Sequence, residues 1–566
     1  MVKKHWVFKQ IDATQQAALA AALSISPITA SVLLSRGVTT EDQARRWLSS
    51  DLYAEHDPFL LPDMERAVDR LHAAVTRSER ICFYGDYDVD GISATSQFVT
   101  FFRSLGAEVT AYIPHRVREG YGLNTAAIRL LAAQGIMLLV TSDCGTTSHH
   151  EVTEANRLGL DVIISDHHQT DGPLPAAVAV LNPHRPDSRY PFPGLCSGGL
   201  AWKVIRAYHS KYGGADLDGA LDLVALATIA DGVPLHDENR YFVREGLKLI
   251  TRGSRCGIRA LKLVAGLQGA CTTGSVAFRL APRINASGRM AHGDLSVRLL
   301  TTESEVEAKR LAEEHEQLNR GRQKLEEATV SDVLAKVDKG AMPAALVLGA
   351  RHWSLGVVGI VAARLVDRFH RPSVVVAINQ QGLGKGSARS VPGFDVFLAL
   401  TECRDLLEGF GGHPSAAGLT IREERLDEFS RRFAAVAEAW AADTPSAPTL
   451  HVDAEVNLGD VDLRLVRELE RLHPFGSGNP EPTLAVRNLN ILETRVVGDR
   501  HLKLTVRHGA SAPFDTIGFR MGSLADLGLS ASTPVDLAFV PEANRWNGLD
   551  RIQLRIRDLR ASQPVS

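Results

Sequence analysis

The residues with the clearest chemical potential are acids and histidines that each close an apolar run. Ile81-Cys82-Phe83-Tyr84 leads into Gly85-Asp86-Tyr87-Asp88-Val89-Asp90-Gly91, and Ile136 to Val140 leads into Thr141-Ser142-Asp143-Cys144-Gly145. Asp161-Val162-Ile163-Ile164 leads into Ser165-Asp166-His167-His168, and Ala230-Asp231-Gly232-Val233-Pro234 ends a helical stretch. In an open parallel sheet, ligand sites form where several strands end on their carboxyl side. Four separate segments can therefore bring Asp88, Asp90, Asp143, His167 and Asp231 to one point. Negative charge at that density is tolerable only with cations among the groups. The economical reading is a divalent-metal centre with two ions, suited to phosphate chemistry.

Each signal also has a plainer reading. Asp86 to Gly91 matches the first half of a calcium loop, but Gln97 stands where that loop needs its bidentate glutamate. Asp-x-Gly at Asp143 is common in turns; after a strongly apolar strand, its carboxylate could bridge two metals. Adjacent histidines in a strand point oppositely, so one of His167 and His168 would ligate while Asp166 orients an imidazole. Arg279, Arg283 and Arg289 surround Ile284-Asn285-Ala286-Ser287-Gly288, and Arg116 and Arg118 precede Glu119-Gly120-Tyr121-Gly122. Any one of these is ordinarily a surface charge, yet arginine grips phosphate bidentately and keeps its charge. Gly411-Gly412-His413-Pro414-Ser415-Ala416-Ala417-Gly418 lets a backbone approach a ligand and offers His413, with Ser387 and Arg389 as nearby donors. A serine hydrolase lacks support, since no G-x-S-x-G occurs.

The elements that must position these groups fall into an α/β pattern. Strands are expected at 80–85, 108–113, 136–142, 161–165 and 177–181, with helices at 92–105, 124–134 and 147–158. That alternation is a βαβ series with a parallel sheet. It belongs to a domain spanning 76–301, preceded by a helical segment over 1–75 that reads as a cover for its neighbour. Residues 302–340 form a long charged stretch, read as a solvated connecting helix. A second α/β lobe occupies 341–445, with strands at 344–349 and 373–378, a helix at 357–369 and glycine-rich punctuation at 382–389 and 411–418. Ala442 to Pro448 reads as a linker. Short β runs over 451–560 suggest an OB-like β-barrel, in which Phe514, Phe519 and Trp546 read as core rather than as a stacking platform.

The 566 residues exceed one core, so about three to four domains are expected. A formal net charge of −3 excludes a uniformly basic nucleic-acid binder but not a local basic groove. The six cysteines form no CxxC pair, which excludes a zinc ribbon or disulfide framework and fits a reducing cytosol. Met1 to Trp6 has no apolar region behind it, and no run has the length of a membrane span. A cytoplasmic protein without a membrane partner is expected.

In their order and spacing, DYDVDG at 86–91, SDCG at 142–145, DHH at 166–168, ADGVPL at 230–235, RINASGR at 283–289 and GGHPSAAG at 411–418 resemble the DHH phosphoesterase superfamily. Within it they resemble the RecJ single-strand-specific exonucleases, over about residues 45–560. Shorter members, the nanoRNA and cyclic-dinucleotide phosphodiesterases and family II pyrophosphatases, resemble only the two α/β lobes. The resemblance implies a DHH catalytic domain, a DHHA1-type second lobe and a nucleic-acid-binding OB-like part. It implies Asp88, Asp90, Asp143, His167 and Asp231 as ligands of two Mn²⁺ or Mg²⁺ ions, with Asp143 bridging. Asp86 would stand behind them, and Asp143, His168 and Asp90 would be catalytic, His168 close to the scissile phosphate. Ser387, Arg389 and Arg116 would hold a terminal 5′ phosphate, and Arg283, Asn285, Arg289 and His413 would line the nucleotide path.

The implied activity is 5′-to-3′ degradation of single-stranded DNA to 5′-mononucleotides, in recombination and repair, with a helicase and a single-strand-binding protein as partners. Ser562 to Ser566 follow the OB-like part closely, so an additional C-terminal domain of some family members is expected to be absent. Two other classes stay open: a small-substrate phosphodiesterase that does not need 451–566, and a single-strand-binding protein with incidental nuclease activity.

Overall fold

The computed structural model describes residues 4–49, 55–170, 172–215, 218–337, 342–442, 448–498, 500–527, 534–546 and 549–562. Most of the expected linker, the last four residues and the Trp546 side chain lie outside the described residues. The chain divides into two compact units: His56–Val233 with Glu245–Ser446, and Met1–Glu55 with Pro234–Arg244 and Ala447–Ser566.

The first of these contains both α/β lobes. Strands β1 (Ile81–Gly85), β2 (Val109–Tyr112), β3 (Leu138–Ser142), β4 (Asp161–Ser165) and β5 (Ala179–Leu181) form one parallel sheet in the order β2-β1-β3-β4-β5. Helices α1 (Val89–Ser104), α2 (Thr125–Ala133) and α3 (His149–Arg157) are the crossovers. All five residues of β1 and of β3 are buried, as expected for strands covered on both faces. The order reverses direction between β1 and β3, so the crevice outside their carboxyl ends is the sheet's switch point. Helices α4 (Ser197–Tyr212) and α5 (Leu221–Asp231) pack on α1, and α6 (Ala281–Met290) carries the RINASGR segment.

A 32-residue helix, α7 (Glu305–Lys336), follows. It is not simply solvated: Ala308, Leu311, Ala312, His315, Asn319, Arg322, Glu326, Thr329 and Val333 form a buried stripe. Several of these are polar, which hides the stripe from a reading based on apolar periodicity. Glu326 is 2% exposed at its side chain and meets Arg322 at 2.6 Å and Arg364 at 2.5 Å. Arg364 belongs to α8 (Val358–Phe369), so this contact ties the second lobe to the helix.

The second lobe combines β6 (Leu346–Ala350), β7 (Ser373–Ile378), β8 (Leu383–Arg389), β9 (Leu407–His413) and β10 (Ala416–Arg422) in the order β9-β10-β8-β7-β6. Only β6 and β7 pair in parallel; the other ladders are antiparallel. The glycine-rich stretches read as punctuation are strands β8, β9 and β10. Glycine is a poor strand former, but here it suits close approach: a Cβ at Gly386 would lie 2.9 Å from Val376 Cγ2.

In the other unit, β11 (Ala454–Glu455), β12 (Leu484–Val497), β13 (His501–Arg507), β14 (Phe514–Gly518), β15 (Val535–Trp546) and β16 (Leu549–Ala561) form one sheet. Pairing runs β12-β13-β14-β16-β15 and returns from β15 to β12 through a bulged ladder, giving a partial ring. β16 escaped the sequence reading because its alternating arginines and aliphatics look like a solvated charged segment. Phe514 packs on the core as expected, whereas Phe519 is 58% exposed, edge-on to His501. The N-terminal segment is not all helical: strand His5–Phe8 pairs in parallel with Thr449–Val452. A partner so distant in sequence leaves no local trace. No single helix among the described residues is long and apolar enough to cross a membrane.

Removing Glu326 would leave Arg322 facing a buried site with its charge uncompensated. Glu326→Ala should cost about 3 kcal/mol in denaturant unfolding of the two lobes, the range for breaking a buried ion pair by deleting one partner. A cost below about 1 kcal/mol would mean that the pair is solvated as an exposed bridge is.

Candidate metal centre and phosphate cleft

The carboxyl ends of β1, β3 and β4 deliver the site. After β1 the chain turns directly into α1, three residues earlier than the sequence reading placed it. Asp88 is the N-cap, and its Oδ1 accepts from the Asp90 and Gly91 amides at 2.9 and 3.2 Å. The turn needs a glycine: a Cβ on Gly91 would lie 2.5 Å from the Asp86 nitrogen. Asp90 sits in the first helical turn, 1% exposed, and accepts from the Ser197 and Gly198 amides at 2.8 and 2.7 Å. The positive N-terminus of α4 thus faces one acid of the cluster.

Asp143 follows β3 in the left-handed region, with φ 70°. That strain, of order 1–3 kcal/mol, is held by the Asp143 amide donating to Ser165 O at 3.0 Å and by Tyr121 Oη donating to Asp143 O at 2.8 Å. His167 Nε2 lies 3.2 Å from Asp143 Oδ1, 3.5 Å from Asp90 Oδ2 and 4.0 Å from Asp231 Oδ2. Asp231 is the last residue of α5, where the helix dipole is negative and disfavours a carboxylate without a counter-ion. His168 points Nδ1 to Asp166 Oδ1 at 2.7 Å.

Three overlapping groups bring ligand atoms within 4.8 Å of one another: Asp90, His167 and Asp231; Asp86, Asp88 and Asp143; and Asp143, His167 and His168. All five residues expected as ligands are therefore together. Asp86, expected to stand behind them, is in the cluster itself, and its buried Oδ1 has no hydrogen-bond partner. Burial and then the Asp231 charge push the Asp90 carboxyl up to about 7. Burial and then Asp90 raise Asp143 well above the carboxylate range, and burial and then Asp88 do the same for Asp86. Burial would also raise Asp166, but the hydrogen bond and charge of His168 prevail and hold it well below that range. Oxygen donors with one or two imidazoles and no thiolate fit Mn²⁺ or Mg²⁺, and the unpartnered Asp86 oxygen is free to act as a ligand.

Beside the acids lies a cleft of about 620 Å³ lined by Tyr87, Arg116, Tyr121, Arg289, Ser387 and Arg389, among others. The Arg116 guanidinium stands 4.6 Å from the Tyr87 ring centre, and Arg389 Nη1 donates to Ser387 Oγ at 2.8 Å. Among the described residues no ion pair is formed by Arg116, Arg289 or Arg389. Burial and then the Arg116 charge push Arg289 down to about 10, and the same two causes lower Arg389. Like charges crowded without ion-pair partners suit an anion.

The structure brings Arg116, Arg289, Ser387 and Arg389 to one cleft, so Arg289 stands with the residues expected to hold a terminal phosphate. His413 stacks on His168 with ring centres 6.3 Å apart. Arg283 turns away: its Nε lies 2.7 Å from Glu316 Oε2, so its charge is already matched. Asn285 is half-buried on α6 and, like Arg283, is not among the residues lining the cleft. Tyr121 and Tyr87 were missed as site residues; each lies beside a motif that was noticed.

Three family descriptions match in chain order: the DHH family N-terminal domain over residues 80–228, the DHHA1 domain over 343–439 and the RecJ OB domain over 452–558. The single-stranded-DNA-specific exonuclease RecJ of Bacillus subtilis is 38% identical over 99% of this chain and 71% of its own length. That of Escherichia coli is 33% identical over 94% of this chain and 96% of its own. The crystal structure of Thermus thermophilus RecJ with Mn²⁺ superposes with a TM-score of 0.85 at 32% identity, covering 99% of this chain and 80% of that one. The Mg²⁺ complex of the same protein gives 0.79 at 30% identity, covering 99% and 79%. Fold and site define a phosphoesterase of the DHH class. The chain belongs to the RecJ family of single-stranded-DNA-specific exonucleases.

Relieving the crowding of acids should have opposite effects with and without cations. In metal-free protein, Asp143→Asn should raise the unfolding midpoint, because one buried like charge is gone. Added Mn²⁺ should stabilise the wild type, by about 2.7 kcal/mol at a hundredfold excess over its dissociation constant, and the variant much less. Equal Mn²⁺ stabilisation of both proteins would remove Asp143 from the metal centre.

Proposed function

We propose that this protein is a 5′-to-3′ exonuclease that hydrolyses single-stranded DNA to 5′-mononucleotides at a two-cation centre. The observation that carries this reading is the meeting of two complementary sites: an acidic cluster and, beside it, three arginines without acidic partners. The first suits cations and the second suits a terminal phosphate. Asp88, Asp90, Asp143, His167 and Asp231 would hold two Mn²⁺ or Mg²⁺ ions, Asp143 shared between them. When bound, such ions supply Lewis-acid stabilisation of the charge developing on the scissile phosphate and activate the attacking water.

The chain's own residues orient the substrate. Arg116, Arg289 and Arg389, with Ser387, grip the terminal phosphate and so set which end of the strand enters. Arg389 keeps its fork aimed through its contact with Ser387. His168 holds a proton on Nδ1 toward Asp166, whose carboxylate only accepts and favours the protonated imidazole. Its Nε2 is thereby left to face the scissile phosphate. The exposed Phe519 beside His501 offers the OB-like unit a stacking surface for a base. Family membership supports a setting in recombination and repair in the cytoplasm, where a helicase supplies the strand and a single-strand-binding protein is a partner.

A long single strand labelled at its 5′ or 3′ end and incubated with Mn²⁺ tests the reading. The 5′ label should appear first as a mononucleotide, and Asp143→Ala should abolish its release. Arg389→Ala should lose about 10–100-fold of the preference for a 5′-phosphorylated over a 5′-hydroxyl strand, the worth of a charge-assisted hydrogen bond. An untouched strand beside rapid cleavage of dinucleotides would instead assign a small-substrate phosphodiesterase.

A further inference from the structure

Asn182, the residue that follows β5, is 0% exposed and has no part in the chemistry described above. Its amide nitrogen donates to His168 O at 2.9 Å and to Thr146 Oγ1 at 3.1 Å. Its Oδ1 accepts from the His184 amide at 2.8 Å. These three bonds use both amide hydrogens and fix which end of the side chain is nitrogen. The Thr146 amide in turn donates to Asp166 Oδ2 at 3.0 Å, and Asp166 Oδ1 faces His168 Nδ1 at 2.7 Å. The bonds close a ring: Asn182, Thr146, Asp166, His168 and back to Asn182. It links the ends of β3, β4 and β5, and Thr146 and Asp166 are each 2% exposed.

A turn-capping asparagine needs only the bond from its oxygen to a nearby amide. Here the nitrogen reaches back to the carbonyl of the histidine that faces the scissile phosphate. The ring ties that histidine at two points, its carbonyl through Asn182 and its imidazole through Asp166. Displacement and rotation of the ring are both restrained.

We infer that Asn182 is a positioning residue for phosphodiester hydrolysis, acting through His168; the inference rests on the exonuclease reading above. No other side chain of this size supplies two donors and one acceptor in this geometry. An aspartate there would set an oxygen against the His168 carbonyl while keeping the volume.

Asn182→Ala and Asn182→Asp, alone and combined with His168→Ala, are compared with wild type on a 5′-phosphorylated single strand. The readouts are kcat, KM, the Mn²⁺ concentration giving half activity, and thermal unfolding. Each single Asn182 change should lower kcat about 10–100-fold, the scale for misplacing a reacting group or removing an outer partner. KM and the Mn²⁺ requirement should stay within about threefold. In the His168→Ala background, followed by single-turnover kinetics at high enzyme concentration, the Asn182 change should add less than about twofold, because both act through one group.

Should Asn182→Ala not fold, Thr146→Val against Thr146→Ser asks the same question, and only the valine should lose kcat. Single variants within about twofold of wild type would overturn the inference, as would an equal further loss in the His168→Ala background. A wild type that leaves the strand intact would overturn the exonuclease reading and this inference with it.

Discussion

The central constraint is electrostatic. Asp86, Asp90 and Asp143 are buried together, and Asp88 and Asp231 face the same point. Taking carboxylates out of water is expensive, and mutual repulsion adds to the cost. The protein offsets part of this with fixed dipoles. The α4 amides face Asp90, the first amides of α1 face Asp88, and Asp166 is satisfied by Thr146 and His168. What remains uncompensated, including an Asp86 oxygen with no partner, is the charge that cations would balance.

The same constraint explains local backbone features that otherwise look costly. Asp143 adopts a left-handed conformation, Gly91 allows the chain to pass against Asp86, and Gly198 comes so close to α5 that a Cβ would lie 2.4 Å from Ala227 Cβ. Each brings a carboxylate or an amide nearer to one point. The arginine cleft is the mirror image. Among the described residues Arg116, Arg289 and Arg389 form no ion pair, so a bound phosphate would relieve their repulsion as cations would relieve that of the carboxylates. Placing the two unbalanced clusters side by side favours a ligand that brings a terminal phosphate to one and a scissile phosphate to the other.

Much of this was legible in the sequence because strand ends are marked by a change from apolar to acidic residues. Asp88, Asp90, Asp143 and His167 follow such a change, Asp231 closes a helix instead, and all five converge. Asn182 obeys the same rule after Ala179–Leu181, but it is not acidic and so carries no charge signal. The α4 N-terminus was readable in principle from Ser197-Gly198-Gly199, a pattern suited to backbone donors at a helix start. The pairing of Arg283 with Glu316 was not readable, because the two lie on separate helices and nothing local distinguishes a matched arginine from a free one. The β8, β9 and β10 strands were hidden by their glycines, and the buried face of α7 by its polar residues.

Two cations shared through Asp143 would balance this cluster of acids. Anomalous diffraction at the manganese edge from crystals grown with Mn²⁺ measures this sharing directly. Two anomalous peaks are expected, both in contact with Asp143, one also touching His167 and the other Asp88. A single peak, or two peaks with Asp143 contacting neither, would contradict that sharing.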